Sequence, residues 1–394
     1  QMRSTPMTFA SQAWILFSTL ALHAADPKPK PVYQYESDGI AVPAASPDET
    51  KVANFGPDSV KAARRYLEEG ALAWVREKSC VNCHTTGPYL SEVPALSPLL
   101  GSPNPEVLAD FVGSIPEGPP KEVEKNGHQY VSGSWTAIWC ALGLAEWDCH
   151  ITGETSSDTD HALHQMMSRQ SSDGSFISYG EVEIPHITTD FELSLQAARA
   201  ITAAPGWLAS LEPGDTLDRI DRLKRWLRDA EPKNDFDRIL HLQLAHYFPD
   251  LVTDAEKETA WSILTSRQHE DGGWSTRDFS AVDDWHFEMS ATVVNLLASL
   301  PDAADPESDP YLTALAIVLL RQSGVPTSDP RIQRGLHWLK REQRVSGRWW
   351  MHSLYRGNYH YITYIATAQA LKALALCDEL PDVHPADPDS RQPR

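Results

Sequence analysis

Two cysteines and a histidine stand together in EKSCVNCHTTG, Glu77 to Gly87. The spacing Cys-x-x-Cys-His has definite chemistry. Two thiols so placed form thioethers with both vinyl groups of a haem, and the imidazole next in the chain reaches the iron. On that reading Cys80 and Cys83 hold one covalent haem c and His84 is its proximal ligand. A zinc site needs two more ligands close together, and there is no second Cys-x-x-Cys. A thioredoxin-like thiol pair belongs beside a βαβ pattern, which is absent. Haem c is the expected occupant, with a structural disulfide or zinc site as the alternative. Three cysteines remain. Cys140 and Cys149 are nine residues apart; on one helix that is about 13 Å, too far to bridge. These two and Cys377 read as small buried apolar residues.

Other residues able to act chemically have a shared setting. His128 (KNGHQYVSGSW), His186 (EIPHITTDF), His286 (DDWHFEMS) and His360 (GNYHYITY) each lie just before, or in the first turn of, an apolar helical stretch. If those helix starts converge, the four surround the distal side of the iron. One would be the sixth ligand, or they would donate hydrogen bonds to an iron-bound molecule. The simpler reading is a histidine tolerated at a helix start. Met166, Met167, Met289 and Met351 are the thioether alternatives, and Trp285, Tyr359 and Tyr361 flank the same histidines. In SAVDDWH, Asp283 and Asp284 form an acidic pair whose simplest role is helix N-capping.

These residues hang on a degenerate repeat. MMSRQSSDGSF (Met166–Phe176), LTSRQHEDGGW (Leu264–Trp274) and LKREQRVSGRWW (Leu339–Trp350) each run Gln, polar residues, Gly, aromatic. An amphipathic helix precedes each, as in DPRIQRGLHWLKREQ, where Ile332, Leu336 and Leu339 recur at helical spacing. Asp329 is the expected N-cap there, with Pro330 in the first turn. A more apolar helix follows each: DFELSLQAARAI, FEMSATVVNLLASL and YITYIATAQALKAL. A worn copy pairs TLDRIDRLKRWLRDA with DFDRILHLQLAHYF, and YLTALAIVLLRQSG is a further apolar helix outside the count. No strand series is evident. Such helix pairs stack into an open solenoid or close into a ring. Counted from the repeat glutamines, His186, His286 and His360 fall at intervals of 16, 18 and 17 residues. Aligning Leu72 with Trp261 puts Ser79 on Gln268 and CVNCH on HEDGG, so the thiol motif replaces a repeat turn.

The Gln-x-x-Asp-Gly-x-Trp turns resemble the QW repeats of the squalene-hopene cyclase and prenyltransferase superfamily, over residues 56–378. The resemblance implies an all-α fold, an α/α toroid of about five repeats with inner helices lining a cavity. It also implies that Gln268, Asp271 and Trp274 are stabilising. Squalene-hopene cyclases protonate their substrate with Asp-x-Asp-Asp. Here Ala281 replaces the first acid and the middle one maps onto Asp283, a weak catalytic candidate. The zinc site of the prenyltransferase β subunits has no counterpart, and haem is not a property of the family. CVNCHTTGPYLSEVPALSPLLG is also similar to the haem-binding segment of small c-type cytochromes, without their downstream Met.

Composition narrows the function. The 394 residues carry a net charge of −20, from 34 basic and 54 acidic side chains. That opposes binding to nucleic acid or anionic lipid. The apolar fraction, 41%, suits a real core. AWILFSTLALHAA, Ala13 to Ala25, is too short to span a bilayer and ends in small residues, as a signal peptide does. Residues 1–25 are therefore expected to be a signal peptide, 26–55 an extended linker, 56–378 the toroid and 379–394 a disordered tail. No later stretch is apolar and long enough for a membrane span. The expected function is a periplasmic or otherwise exported monohaem cytochrome. It would exchange electrons with a redox partner protein or bind O₂, NO, CO or peroxide. The alternatives are an enzyme acting on a terpenoid or other apolar substrate in the cavity, through haem or Asp283, and a protein-binding scaffold.

Overall fold

Two kinds of helix differ in how much of their surface is apolar. Asp215–Asp229 is dense in charge and buries only the stripe Ile220, Leu223 and Leu227. Pro310–Gln322 is buried from Pro310 to Leu320 without a break. A stripe covers one neighbour, whereas a helix apolar all round must be enclosed, so the chain forms two layers. A computed structural model describes residues 32–125, 128–177, 182–183, 189–280, 286–287, 295, 298–352 and 361–384. The expected signal peptide lies outside them.

From Tyr33 onward the order is β1 (Tyr33–Ser37), β2 (Ile40–Pro43), α1 (Pro57–Lys78), α2 (Thr86–Glu92), α3 (Ser97–Leu100) and α4 (Pro105–Gly113). Then come β3 (Glu122–Lys125), β4 (His128–Val131), α5 (Ser134–Trp147), α6 (Ser157–Ser168), β5 (Val182–Glu183), α7 (Asp190–Ala203), α8 (Trp207–Ser210) and α9 (Asp215–Asp229). The last are α10 (Asp235–Tyr247), α11 (Asp254–Ser266), β6 (His286–Phe287), α12 (Pro301–Ala304), α13 (Pro310–Gln322), α14 (Pro330–Glu342) and α15 (Tyr361–Ala375). The inner helices α2, α5, α7, α10, α13 and α15 pack side by side in that order, and α15 returns to α2. The ring closes: the fold is an α/α toroid. The six inner helices make six helix pairs where about five repeats were expected: α1, α6, α9, α11 and α14 are the long outer helices, and the short α4, packed against α5 and α1, is the sixth. Asp329 caps α14 as expected, accepting from Arg331 N.

The repeat turns bolt the layers together. Gln170 Nε2 donates to Gly174 O in its own turn (2.9 Å) and to Arg219 O of the next outer helix, α9 (3.0 Å). Gln268 does the same to Gly272 O and Arg331 O of α14, and Gln343 to Gly347 O and Ser59 O of α1. Gly347 has φ +89°, and a Cβ there would lie 2.2 Å from Ala63 N, so only glycine lets the turn meet α1. The aromatic residue points inward. Its backbone N–H donates to a hydroxyl of an inner helix: Phe176 to Ser194, Trp274 to Thr313 and Trp349 to Thr367. Trp274 and Trp349 also donate through Nε1 to Leu264 O and Leu339 O, both at 2.7 Å. Asp271 accepts from Trp338 Nε1 at 2.8 Å. These residues hold the fold, as the repeat implied.

That inward bond corrects one assignment. The aromatic and its hydroxyl partner are 18 residues apart in two turns but 39 apart from Trp274 to Thr313. The 21 extra residues are an insertion. The inner position is filled by α13, the apolar helix that the repeat count had left over, and not by FEMSATVVNLLASL. Most of that segment lies outside the described residues.

Three further expectations change. The linker contains the antiparallel β1–β2 hairpin, which packs on α1, and its continuation bridges Lys51 to Arg344 in the last repeat turn. Two other two-stranded ribbons, β3–β4 and β5–β6, are present although no strand series was expected. At the C-terminus Val383 is buried and its N–H donates to Leu99 O at 2.8 Å, so the first residues of the expected tail are packed. Residues 385–394 lie outside the described residues.

Candidate functional site

The outer helix α1 stops at Ser79, a C-cap in left-handed conformation at φ 46° whose N–H bonds Val75 O. A non-glycine residue there is uncommon. It turns the chain sharply from α1 into the loop Cys80–Thr85, which ends where α2 begins. The loop is clamped by its own side chains. Asn82 Oδ1 accepts from His84 N (2.9 Å) and Thr85 N (2.6 Å). Asn82 N donates to Thr86 Oγ1 at 3.1 Å, and Gly87 N to Asn82 O at 2.8 Å. Gly87 has no room for a side chain, since a Cβ would lie 2.3 Å from Asn82 O and 2.6 Å from the Trp139 ring.

Within this clamp both motif cysteines are free thiols, Cys80 exposed and Cys83 half-buried. Trp74 Nε1 donates to Cys80 O at 3.1 Å and lies 3.3 Å from its Sγ. Burial pushes the Cys83 thiol up to about 12. The His84 ring meets Trp74 edge-on, with centroids 4.8 Å apart. Burial lowers its pKa to about 3, so the imidazole is neutral, the form that ligates a metal. His84 Nδ1 lies 3.2 Å from Thr85 Oγ1, which lies 2.9 Å from Tyr35 Oη in the hairpin.

The residues present fit a haem c in the chemistry of their donor set. Two thiols outside any disulfide, Cys80 exposed and Cys83 half-buried, precede a neutral imidazole, and Asn82 Nδ2, between the cysteines, is a buried donor without a partner among the described residues. Among the described residues no group of three His, Cys, Asp or Glu side chains is arranged to hold a metal ion.

Below the loop runs the lumen, lined from all six inner helices. Toward the loop Glu192 and Tyr311 approach each other at 3.4 Å. Trp139 Nε1, on the same wall, is a buried donor without a partner among the described residues. Farther along, Arg199 of α7 bonds Glu92 of α2 (2.6 Å) and Glu146 of α5 (2.7 Å), and Lys372 of α15 bonds Glu92 (2.7 Å). All four side chains are buried or nearly so. Burial opposes ionisation of Glu92, but Arg199 and Lys372 outweigh it and hold the carboxyl at about 2. The remaining space is about 30 Å³. Pockets for drug-sized apolar ligands span roughly 300–1,000 Å³. The described lumen has room for water and none for a terpenoid.

The other expected residues fare unevenly. Glu183 pairs with His286 in the β5–β6 ribbon, so the loops before α7 and α13 meet through their backbones. His286 stands in the insertion, well ahead of α13, and so does not begin an inner helix of the ring. His128 begins β4, opposite Lys125. The side chains of both are outside the described residues, as are His186, His360, Asp283 and Met289 altogether. Met166 and Met167 are fully buried in the outer helix α6 and serve packing. Met351 is buried, its N–H held by Thr363 Oγ1. Cys140 and Cys377 are buried as expected, but Cys149 is exposed, because it sits in the π-turn that follows α5.

The model of the squalene-hopene cyclase C-terminal domain matches residues 250–386, from just before α11 to beyond α15. No curated protein matches the chain. The fold is an α/α toroid, and over residues 250–386 the chain is similar to the squalene-hopene cyclase C-terminal domain. No helix among the described residues is long and apolar enough to cross a membrane.

Proposed function

We propose that this protein is an exported c-type cytochrome built on a terpenoid-cyclase-like toroid, with one haem anchored where a repeat turn would otherwise stand. Cys80 and Cys83 would carry the thioethers and His84 would be the axial ligand. The bound haem would supply reversible one-electron chemistry or an iron site for O₂, NO, CO or peroxide. The observation that carries this reading is the loop itself. Asn82 and Thr86 fix it between α1 and α2, neither thiol is in a disulfide, and the imidazole is neutral.

The chain's own residues have separable tasks. Trp74 supports Cys80 and one edge of His84, while the clamp at Asn82 keeps the cysteines and the imidazole on one short turn. The loops bearing His128, His186, His286 and His360 would supply the far side of the iron, and a redox protein or a small gaseous ligand would meet it there. Acid chemistry at Asp283 on a terpenoid is less well supported, because the described lumen is narrow and charged. Intact-mass measurement under denaturing conditions tests the proposal. It predicts one haem added to the exported chain, and none added to Cys80→Ala/Cys83→Ala. An unmodified wild-type mass after maturation would refute it.

A further inference from the structure

Three polar groups on the lumen wall are left over by the contacts around them. Trp139 of α5 is 3% exposed and lines the space of about 30 Å³ between the inner helices. Its ring backs onto the start of α2, where a Cβ on Gly87 would lie 2.6 Å from it. Its Nε1–H is a buried donor without an acceptor among the described residues. An indole N–H can only donate, so no choice of tautomer or rotamer elsewhere changes what it needs. Gln243 of α10 and Gln369 of α15 line the same space. Gln243 bonds Tyr247 Oη at 3.1 Å and Gln369 bonds Glu92 Oε1 at 3.3 Å, each through one end of its amide. The other end of each amide has no partner among the described residues. The charged groups nearby do not meet these needs, because Arg199, Lys372, Glu92 and Glu146 bond one another.

A buried donor without an acceptor is costly. Cavities that stay dry are lined by apolar groups, whereas a polar cavity with room holds water. One water needs about 10–15 Å³, so the lumen has room for more than one. We propose that the lumen is a water-binding site: an ordered water accepts from Trp139 Nε1, and lumen water completes the amides of Gln243 and Gln369. A water that accepts from the indole can still donate two bonds, which suits a wall offering one fixed donor and two amide ends. The hydrated indole then stands behind the clamp that holds the Cys80–Thr85 loop. The site belongs to the polypeptide and does not rest on the haem reading.

Crystals of the full chain, measured native and under xenon pressure, test this. The native map is expected to show water within hydrogen-bond distance of Trp139 Nε1. The xenon map is expected to show no xenon among Leu240, Leu315, Val318 and Ile365, the apolar side chains of the same lumen. Trp139→Phe keeps a ring against Gly87 and removes the donor, so that water should be lost or displaced while the fold is kept. A wild-type lumen without that water, or with xenon or another apolar molecule in it, would overturn the proposal. So would a Trp139→Phe map with the water unmoved. If Trp139→Phe does not fold, the two wild-type maps decide. A chain without covalent haem would refute the proposed function and leave this result standing.

Discussion

Gln343 Nε2 donates to the carbonyl of Ser59 across 3.0 Å, joining the last repeat turn to the first outer helix over a separation of 284 residues. The bond is the ring-closing copy of those from Gln170 to Arg219 and Gln268 to Arg331. The bridge between Lys51 and Arg344 lies beside it. The outer layer therefore closes at this turn through Gln343 and the N-terminal arm, while α15 packs on α2 in the inner layer.

Gln343→Ala removes the side-chain donor shared by the Ser59 and Gly347 carbonyls and breaks the link between the turn and α1. The expected loss is about 1–3 kcal/mol, the scale of losing two buried hydrogen bonds. Gly347→Ala should be worse, because the residue is left-handed and a Cβ would strike Ala63 N. Urea unfolding checks both, and equal stability of Gly347→Ala and wild type would contradict the closure described here.

Much of this was legible in the sequence, because the repeat is local. The spacing from glutamine to glycine to aromatic is set by one turn, so it survives as a pattern. The inner-helix hydroxyls, Ser194, Thr313 and Thr367, went unnoticed. Two of them stand 18 residues after their aromatics, but the insertion moves the third to 39 and breaks the periodicity. The same insertion spoiled the register that put His286 at an inner-helix start. Charges in otherwise apolar helices, Glu146 in SWTAIWCALGLAEW and Arg199 in FELSLQAARAI, were a readable sign of the lumen network. Their pairing was not readable, since Arg199 and Glu92 are 107 residues apart. Tyr35 was hidden in a stretch rich in Pro, Ser and Asp, and only tertiary packing carries it to Thr85.

The lumen network should make folding acid-sensitive. Glu92 ionises at about 2 in the fold against the usual 4.5. Its folded pKa is depressed, so its stabilisation is fully present above about pH 4.5 and is lost as pH falls from there toward 2. The contribution is on the order of 3 kcal/mol. Glu92→Gln should flatten the acid limb of stability against pH. At neutral pH it should lose about 3–5 kcal/mol, since Arg199 keeps its charge with only Glu146 to balance it and the buried Lys372 amine loses its carboxylate. Denaturant midpoints measured from pH 2 to 7 check this; an unchanged acid limb would exclude Glu92 as the responsible group.

The far side of the iron is tested one histidine at a time. His128→Ala, His186→Ala, His286→Ala and His360→Ala are each expected to keep the covalent haem. At least one should change the sixth-position spectrum of the oxidised protein. Four unchanged spectra would remove these histidines from the site. Carbon monoxide then sorts the function. A CO-induced shift in the reduced protein marks an open position and ligand binding, and no shift marks a six-coordinate electron carrier.

The most direct measurement is the pyridine haemochrome of protein exported through a haem c maturation system, after denaturation and solvent extraction. The account predicts one covalent haem per chain with a thioether-type spectrum, lost in the double variant Cys80→Ala/Cys83→Ala and retained in Cys149→Ala. A wild-type chain that matures and folds without haem, or one whose haem extracts into solvent, would contradict it.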